Sequence, residues 1–177
     1  ELAPTVMPSL QAVRVVGVAA NDMHSLALSE EGLVYSWGSG FRGALGHGDE
    51  ESQYTPKLIE GLKAERVVRV AAGFEHSLAV TQGGRVFEWG GNGVQQGYLA
   101  PTLVPLQKVV EVSAGANCSF AVSEEGHVYS WGFGREGVLG HGDQEPQPAP
   151  KLIDALQAVK VAGISCYSIY CLAVSEA

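Results

Sequence analysis

The sequence predicts an all-β fold, a partial β-propeller of about three and a half four-stranded antiparallel blades. Three observations predict it. First, the stretch Val70-Ala-Ala-Gly-Phe-Glu-His76-Ser-Leu-Ala-Val80, followed by Gly84-Arg-Val-Phe-Glu-Trp89-Gly90, has a copy on either side. Upstream stand Val18-Ala-Ala-Asn-Asp-Met-His24 and Gly32-Leu-Val-Tyr-Ser-Trp37, and downstream stand Val112-Ser-Ala-Gly-Ala-Asn-Cys118 and Gly126-His-Val-Tyr-Ser-Trp131. Second, the interval from Ala20 to Trp37, from Ala72 to Trp89 and from Ala114 to Trp131 is 17 residues each time. Third, the period of 52 residues from Trp37 to Trp89 and 42 from Trp89 to Trp131 holds four short strands.

The elements follow in order. Residues 1–12 read as the tail of a preceding repeat, because Thr5-Val-Met-Pro-Ser-Leu10-Gln-Ala is a worn version of Thr55-Pro56-Lys-Leu-Ile-Glu-Gly-Leu62-Lys-Ala. Repeat 1 spans 13–66. Val13 to Ala20 is Val-rich and alternating, as a strand is, and Asn21-Asp22 signals a turn. His24 to Ser29 forms the second strand, Glu30-Glu31-Gly32 a hairpin turn, and Leu33 to Trp37 the third strand. The connection Gly38 to Asp49 carries too many glycines for a helix. Pro56 to Leu62 is a fourth extended piece, and Pro56 places it at a sheet edge. Repeat 2 spans 67–108 and lacks the Leu-Gly-His-Gly-Asp part of the connection. Repeat 3, 109–158, restores it as Leu139-Gly-His141-Gly-Asp143. A truncated repeat 4 covers 159–177, with Ile164 to Tyr170 out of register with the other copies. The expected total is 14 strands. Glu1 is not an initiator Met, which suggests that the chain begins inside a longer protein or was processed.

Composition narrows the function. Eleven Lys plus Arg against nineteen Asp plus Glu give a formal net charge of −8, which disfavours direct nucleic-acid binding. No apolar run is long enough to span a membrane. Three cysteines, Cys118, Cys166 and Cys171, with no Cys-x-x-Cys, favour a reducing, intracellular setting, cytoplasmic or nuclear.

The ordered set Val-Ala-Ala-Gly-x-x-His-Ser-Leu-Ala-Val, Gly-x-Val-x-x-Trp-Gly and Gly-x-Leu-Gly-His-Gly-Asp resembles the regulator of chromosome condensation repeat family over residues 13–177. Asn21 stands where that pattern has Gly, and Cys118 where it has His. The resemblance implies blades of a seven-bladed propeller. A WD-repeat propeller fits less well, since no Trp-Asp pair closes a strand. Members resembling the plant ultraviolet-B receptor carry Gly-Trp-Arg-His, but here the places read Gly73-Phe-Glu-His76 and Asn21-Asp-Met-His24.

Motifs with chemical promise reduce to scaffold. Gly38-x-Gly40-x-x-Gly43 and Gly132-x-Gly134-x-x-Gly137 match a dinucleotide fingerprint, but no helix can open at the third glycine. His24 and His76 share one repeat position, and His47 and His141 another, so each pair stands about a blade apart, too far to share a metal ion. Hydrogen bonding to nearby backbone is the expected histidine role, turn capping that of Asp49 and Asp143, and blade packing that of Trp37, Trp89 and Trp131. No catalytic set, cofactor or metal is expected. Residues that differ between copies are the candidates for protein contact: Phe41, Arg42, Phe74, Glu75, Tyr98, Arg135 and Glu136, all expected in loops.

The reading favoured by the residues is a non-catalytic protein–protein interaction scaffold. The resemblance implies two alternatives, a guanine nucleotide exchange factor for a small GTPase such as Ran, or the substrate-binding propeller of a larger ubiquitin ligase or kinase. No copy carries the protruding hairpin that the exchanger uses. The expected partners are a protein, a small GTPase among the options, together with the remaining blades of the same propeller or a second copy of this half.

Overall fold

The computed structural model describes residues 6–94 and 97–176. Part of the expected leading tail (residues 1–5), Gln95 and Gln96 of the shortened connection, and Ala177 lie outside the described residues.

Fourteen strands occur among the described residues, grouped as three four-stranded sheets and one hairpin. Blade 1 holds β1 (Val15–Ala20), β2 (His24–Ser29), β3 (Val34–Gly38) and β4 (Gln53–Leu58). Blade 2 holds β5 (Val67–Ala72), β6 (His76–Thr81), β7 (Val86–Gly90) and β8 (Tyr98–Val104). Blade 3 holds β9 (Val109–Ala114), β10 (Cys118–Ser123), β11 (Val128–Gly132) and β12 (Gln147–Leu152), and the last hairpin pairs β13 (Val161–Tyr167) with β14 (Tyr170–Ser175). Each sheet is an antiparallel meander in chain order. Pro56, Pro101 and Pro150 all fall on the fourth strand, the edge that can lack an N–H donor. A short 3-10 turn after the fourth strands of blades 1 and 3, Glu60–Leu62 and Asp154–Leu156, leads into the next sheet, and Pro8–Leu10 repeats it before β1.

Two expectations are corrected. The segment Ile164 to Tyr170 is in register: Cys166 pairs with Cys171 and Ser165 with Leu172, as Ala114 pairs with Ser119 and Ser113 with Phe120. The hairpin runs one pair further, to Tyr167 and Tyr170, so substituted side chains, not a shifted backbone, disguise the repeat. Tyr98 and Leu99 are not loop residues. The short connection returns the chain to the sheet early, and Tyr98 opens β8 opposite Gly90.

Blades stack through their sheet faces, so each core lies between two blades. Leu26, Leu28 and Val34 of blade 1 meet Val67, Phe87 and Trp89 of blade 2. On the other face of blade 2, Leu78, Val80 and Val86 meet Val112, Ala121 and Trp131 of blade 3. Strand alternation sends neighbouring residues to opposite faces, and all six residues of β6 are buried because both faces are covered. Phe120 and Val122 carry the stack on to Val161 and Ile164. The backbone stitches it as well: Val67, Val109 and Val161 donate their N–H to the carbonyls of Gly32, Gly84 and Gly126 at 3.1–3.2 Å. Those glycines hold positive φ, and a Cβ on any of them would press into the next blade at 2.7–3.0 Å.

The two outermost sheets keep apolar side chains in the open. Val16 and Val18 on β1 are 58% and 75% exposed, and Tyr170, Leu172 and Val174 on β14 are 73%, 74% and 65% exposed. Cys166 and Cys171 are joined as a disulfide across β13 and β14, while Cys118 is a buried free thiol.

Candidate functional site

Strand pairing decides where the candidates sit. His24 pairs with Gly38, His76 with Gly90 and Cys118 with Gly132. The turn between first and second strands and the connection between third and fourth therefore leave each blade at the same end. All seven candidates belong to these turns, to these connections or, for Tyr98, to the strand start beside them. We refer to this end as the loop face.

The face subdivides. Arg42 packs its guanidinium 5.5 Å from the Phe41 ring centroid and pairs through Nε with Glu75 Oε2 of blade 2 at 3.3 Å. Phe41, Arg42, Glu50 and Leu99 line an open cleft of ≈ 760 Å³ between the first two connections. Phe74 lines a second hollow of ≈ 280 Å³ with Asp22, Asn117 and Tyr167, across the turns of all four blades. Arg135 lies over the Phe133 ring at 5.0 Å, with Glu136 exposed beside it. Tyr98 lines a separate cavity at the outer border, next to Glu88. Arg42 and Glu136 occupy one repeat position, and both adopt positive φ, 55° and 57°.

Beneath the face, a hydrogen-bond relay joins blade 1 to blade 2 and blade 2 to blade 3. Ser77 Oγ donates to Ala44 O at 3.0 Å, and Trp89 Nε1 donates to the same carbonyl at 2.9 Å. Because the Ser77 hydrogen is used there, His24 Nε2–H donates to Ser77 Oγ at 2.7 Å. The same logic sets His76, whose Nε2–H meets Ser119 Oγ at 3.0 Å while Ser119 donates to Glu88 Oε1 at 2.9 Å. Nδ1 of both rings is a bare lone pair with no described partner. The histidine partner is thus a serine of the next blade rather than nearby backbone. His47 and His141 do stay local, each meeting Ser36 or Ser130 of its own blade at 3.0 Å. Burial lowers the pKa of His24 to about 4 and of His76 to about 3, with the neighbouring His24 adding to the effect at His76. Burial raises the Cys118 thiol to about 11, which keeps it protonated and unreactive.

Trp89 and Trp131 are fully buried between blades, whereas Trp37 on blade 1 is half-buried. Asp49 and Asp143 accept the backbone N–H two residues on, at 3.0 Å, in matching Asx turns. No three His, Cys, Asp or Glu side chains gather as a metal cluster among the described residues.

Sequence reasoning missed Glu88. It occupies the repeat position of Ser36 and Ser130, is 6% exposed, and accepts Trp131 Nε1–H at 3.0 Å and Asn92 Nδ2–H at 3.3 Å besides Ser119. Blade 2 lacks the connection that supplies Ala44 O in blade 1, and the Glu88 carboxylate takes over that carbonyl's two donors. The available signal was an acid between Phe87 and Trp89 in an apolar strand.

The regulator of chromosome condensation (RCC1) repeat model matches residues 31–80 and 125–174, and a second model of the same repeat matches 15–44, 67–96 and 109–138. The chain belongs to the RCC1 repeat family. Its relatives include the E3 ubiquitin-protein ligase HERC2 of Homo sapiens, 41% identical over 93% of this chain but only 3% of HERC2. Among solved structures, human WBSCR16 superposes with a TM-score of 0.87 at 22% identity, over 99% of this chain and 48% of that one. Prp20p of Saccharomyces cerevisiae superposes at 0.83 with 25% identity, over 93% and 44%. The RCC1 repeats here thus span somewhat under half of each solved propeller. No helix among the described residues is long and apolar enough to cross a membrane.

Two tests follow from the relay. Glu88→Ala strands the Trp131 and Ser119 donors in the core and should cost about 2–4 kcal/mol in urea unfolding, whereas Glu88→Gln keeps an acceptor oxygen and should stay within about 1 kcal/mol. The histidines should make stability depend on pH. Their folded pKa values lie below the unfolded 6.5, so their contribution is complete above that value and declines as pH falls toward about 4 and 3. Each contributes a slope of about 1.4 kcal/mol per pH unit. Burial raises Glu88, whose contribution is present at low pH and is lost as pH rises through its folded value. The melting temperature should therefore fall from pH 7 to 5, and less steeply in His24→Asn. A flat wild-type profile over that range would contradict the assignment.

Proposed function

We propose that this RCC1-repeat segment is a non-catalytic protein-binding scaffold whose loop face engages a basic partner surface. The observation that carries the reading is an imbalance of charge between the two ends of the blades. At the far end, cations and acids neutralise one another: Arg14–Glu30 at 3.0 Å, Arg85–Glu65 at 2.8 Å, Lys108–Glu125 at 3.2 Å and Lys160–Glu176 at 2.7 Å. On the loop face, Asp22, Asp49, Glu50, Glu51, Glu75, Glu136, Asp143 and Glu145 meet only Arg42 and Arg135 among the Lys and Arg residues of these turns and connections. Complementary charge of this kind steers encounter. Phe41, 49% exposed over the cleft, supplies an apolar anchor of the sort that carries interface energy.

Two finer roles are compatible with such a face. Prp20p is described by its binding to Gsp1p and histones, and HERC2 is a ubiquitin ligase. The scaffold reading is favoured over nucleotide exchange because the described strands all belong to the blades, with no extra hairpin among them. With a basic bait such as histone protein, the double variant Glu50→Lys, Glu51→Lys should weaken capture at least tenfold, and Phe41→Ala should weaken it with melting unchanged. Binding that ignores both changes and is insensitive to salt would sink the proposal.

The open apolar faces of β1 and β14 support a second element of this reading, that they receive flanking blades to complete a ring. Sedimentation of the chain distinguishes the source. A species of twice 18.6 kDa that dissociates in Leu172→Asp assigns a second copy, and a monomer assigns blades of the same polypeptide.

A further inference from the structure

The interface between blades 2 and 3 holds a carboxylate that the hydrogen-bond relay uses only by half. In the preceding interface, a backbone carbonyl does the accepting, and the connection that carries it also fills the space. A Cβ on Gly46 would come within 2.9 Å of Trp89 Cδ1 and Nε1, so that loop lies directly on the tryptophan edge. Blade 2 has no such loop. Glu88 Oε1 collects all three donors there, from Ser119, Trp131 and Asn92. Oε2 accepts no hydrogen bond from the described residues. A cavity of ≈ 70 Å³ adjoins the carboxylate, bordered by Glu88, Trp131, Tyr98, Leu103, Pro105 and Pro148, between the outer strands β8 and β12.

The chemistry of this notch is specific. A side chain only 6% exposed presents one free carboxylate oxygen to a cavity walled mainly by aromatic, proline and aliphatic groups, with Thr102 among them. Such walls suit a methylene stem, and the oxygen suits a cation at its end. A metal ion is poorly served, since no cluster of three ligating side chains exists among the described residues. A guanidinium prefers both oxygens of a carboxylate in a planar fork, and Oε1 is already committed. A compact ammonium needs only one.

We propose that the Glu88 notch binds the ammonium of a lysine side chain presented by a partner protein, with Oε2 as the acceptor and Tyr98, Leu103 and Pro105 along the stem. The site lies on the outer border between two blades, apart from the clefts of the loop face, so either can fail without the other.

The Trp131 indole N–H, bonded to Glu88, is the reporter. The whole chain, labelled with nitrogen-15, is titrated with N-acetyl-lysine methylamide while the indole resonances are followed. A saturable shift of Trp131, with Trp89 still, is the expected result. N-acetyl-norleucine methylamide, which has the stem without the charge, should leave Trp131 in place, and the arginine analogue should bind at least tenfold more weakly. Glu88→Gln keeps the acceptor for Trp131 and should lower lysine affinity at least tenfold, its folding checked by the unchanged Trp89 resonance. The proposal is overturned if Trp131 does not respond to lysine, responds equally to norleucine, or responds equally in the Gln variant.

Discussion

One acceptor at each of the two interfaces between the four-stranded blades holds them in place. It must take a hydrogen bond from a buried tryptophan indole and from a serine hydroxyl of the next blade, and burial makes an unpaired donor costly. Between blades 1 and 2 the acceptor is Ala44 O, and between blades 2 and 3 it is Glu88 Oε1. The tryptophan cannot be buried unless that acceptor exists, and the apolar contacts around Trp89 and Trp131 form only if the tryptophan is buried. The histidine above each serine depends on it too, since the serine hydrogen must be spent on the acceptor before the hydroxyl oxygen can receive Nε2–H. This fixes tautomer, charge state and blade spacing together.

The same requirement explains how a connection can shrink by the difference between 52 and 42 residues without opening the core. Loop length itself costs little. The lost carbonyl would cost more, as two donors would be left unpaired in the interior. A carboxylate three atoms long reaches the place that the loop backbone otherwise occupies. The exchange carries its own penalty, the desolvation that raises the Glu88 pKa, and three donors offset it.

Much of the architecture was legible in the chain. Invariant spacing between Ala and Trp in three copies located the strands, and Pro56 located the sheet edge. The hairpin Ile164 to Tyr170 misled because identity was judged by side chains. Tyr170 stands where blades 1 and 2 have His24 and His76, and Cys171 stands where all three other copies have serine, while backbone pairing keeps its register. Tyr98 is hard to place from sequence because the shortened connection brings strand β8 forward to the residue opposite Gly90. The relay was the least legible part. It joins residues 31 to 53 positions apart whose pairing exists only once blades stack. Gathering of the candidates at one end, by contrast, follows from antiparallel pairing alone.

Arg42 and Glu136 sit at the tips of equivalent connections with φ near 55°, each inside a Gly-x-x-Gly frame. That geometry disfavours side chains, most of all β-branched ones, by roughly 1–2 kcal/mol. The tips therefore draw on a restricted alphabet. Gly, Asn and Asp come at low strain, straight-chain residues such as Arg and Glu are tolerated, and Val, Ile and Thr are barred. Diversification at these points must proceed mainly by changes of charge and hydrogen-bonding type, with apolar variety left to neighbours such as Phe41, whose backbone is not so confined.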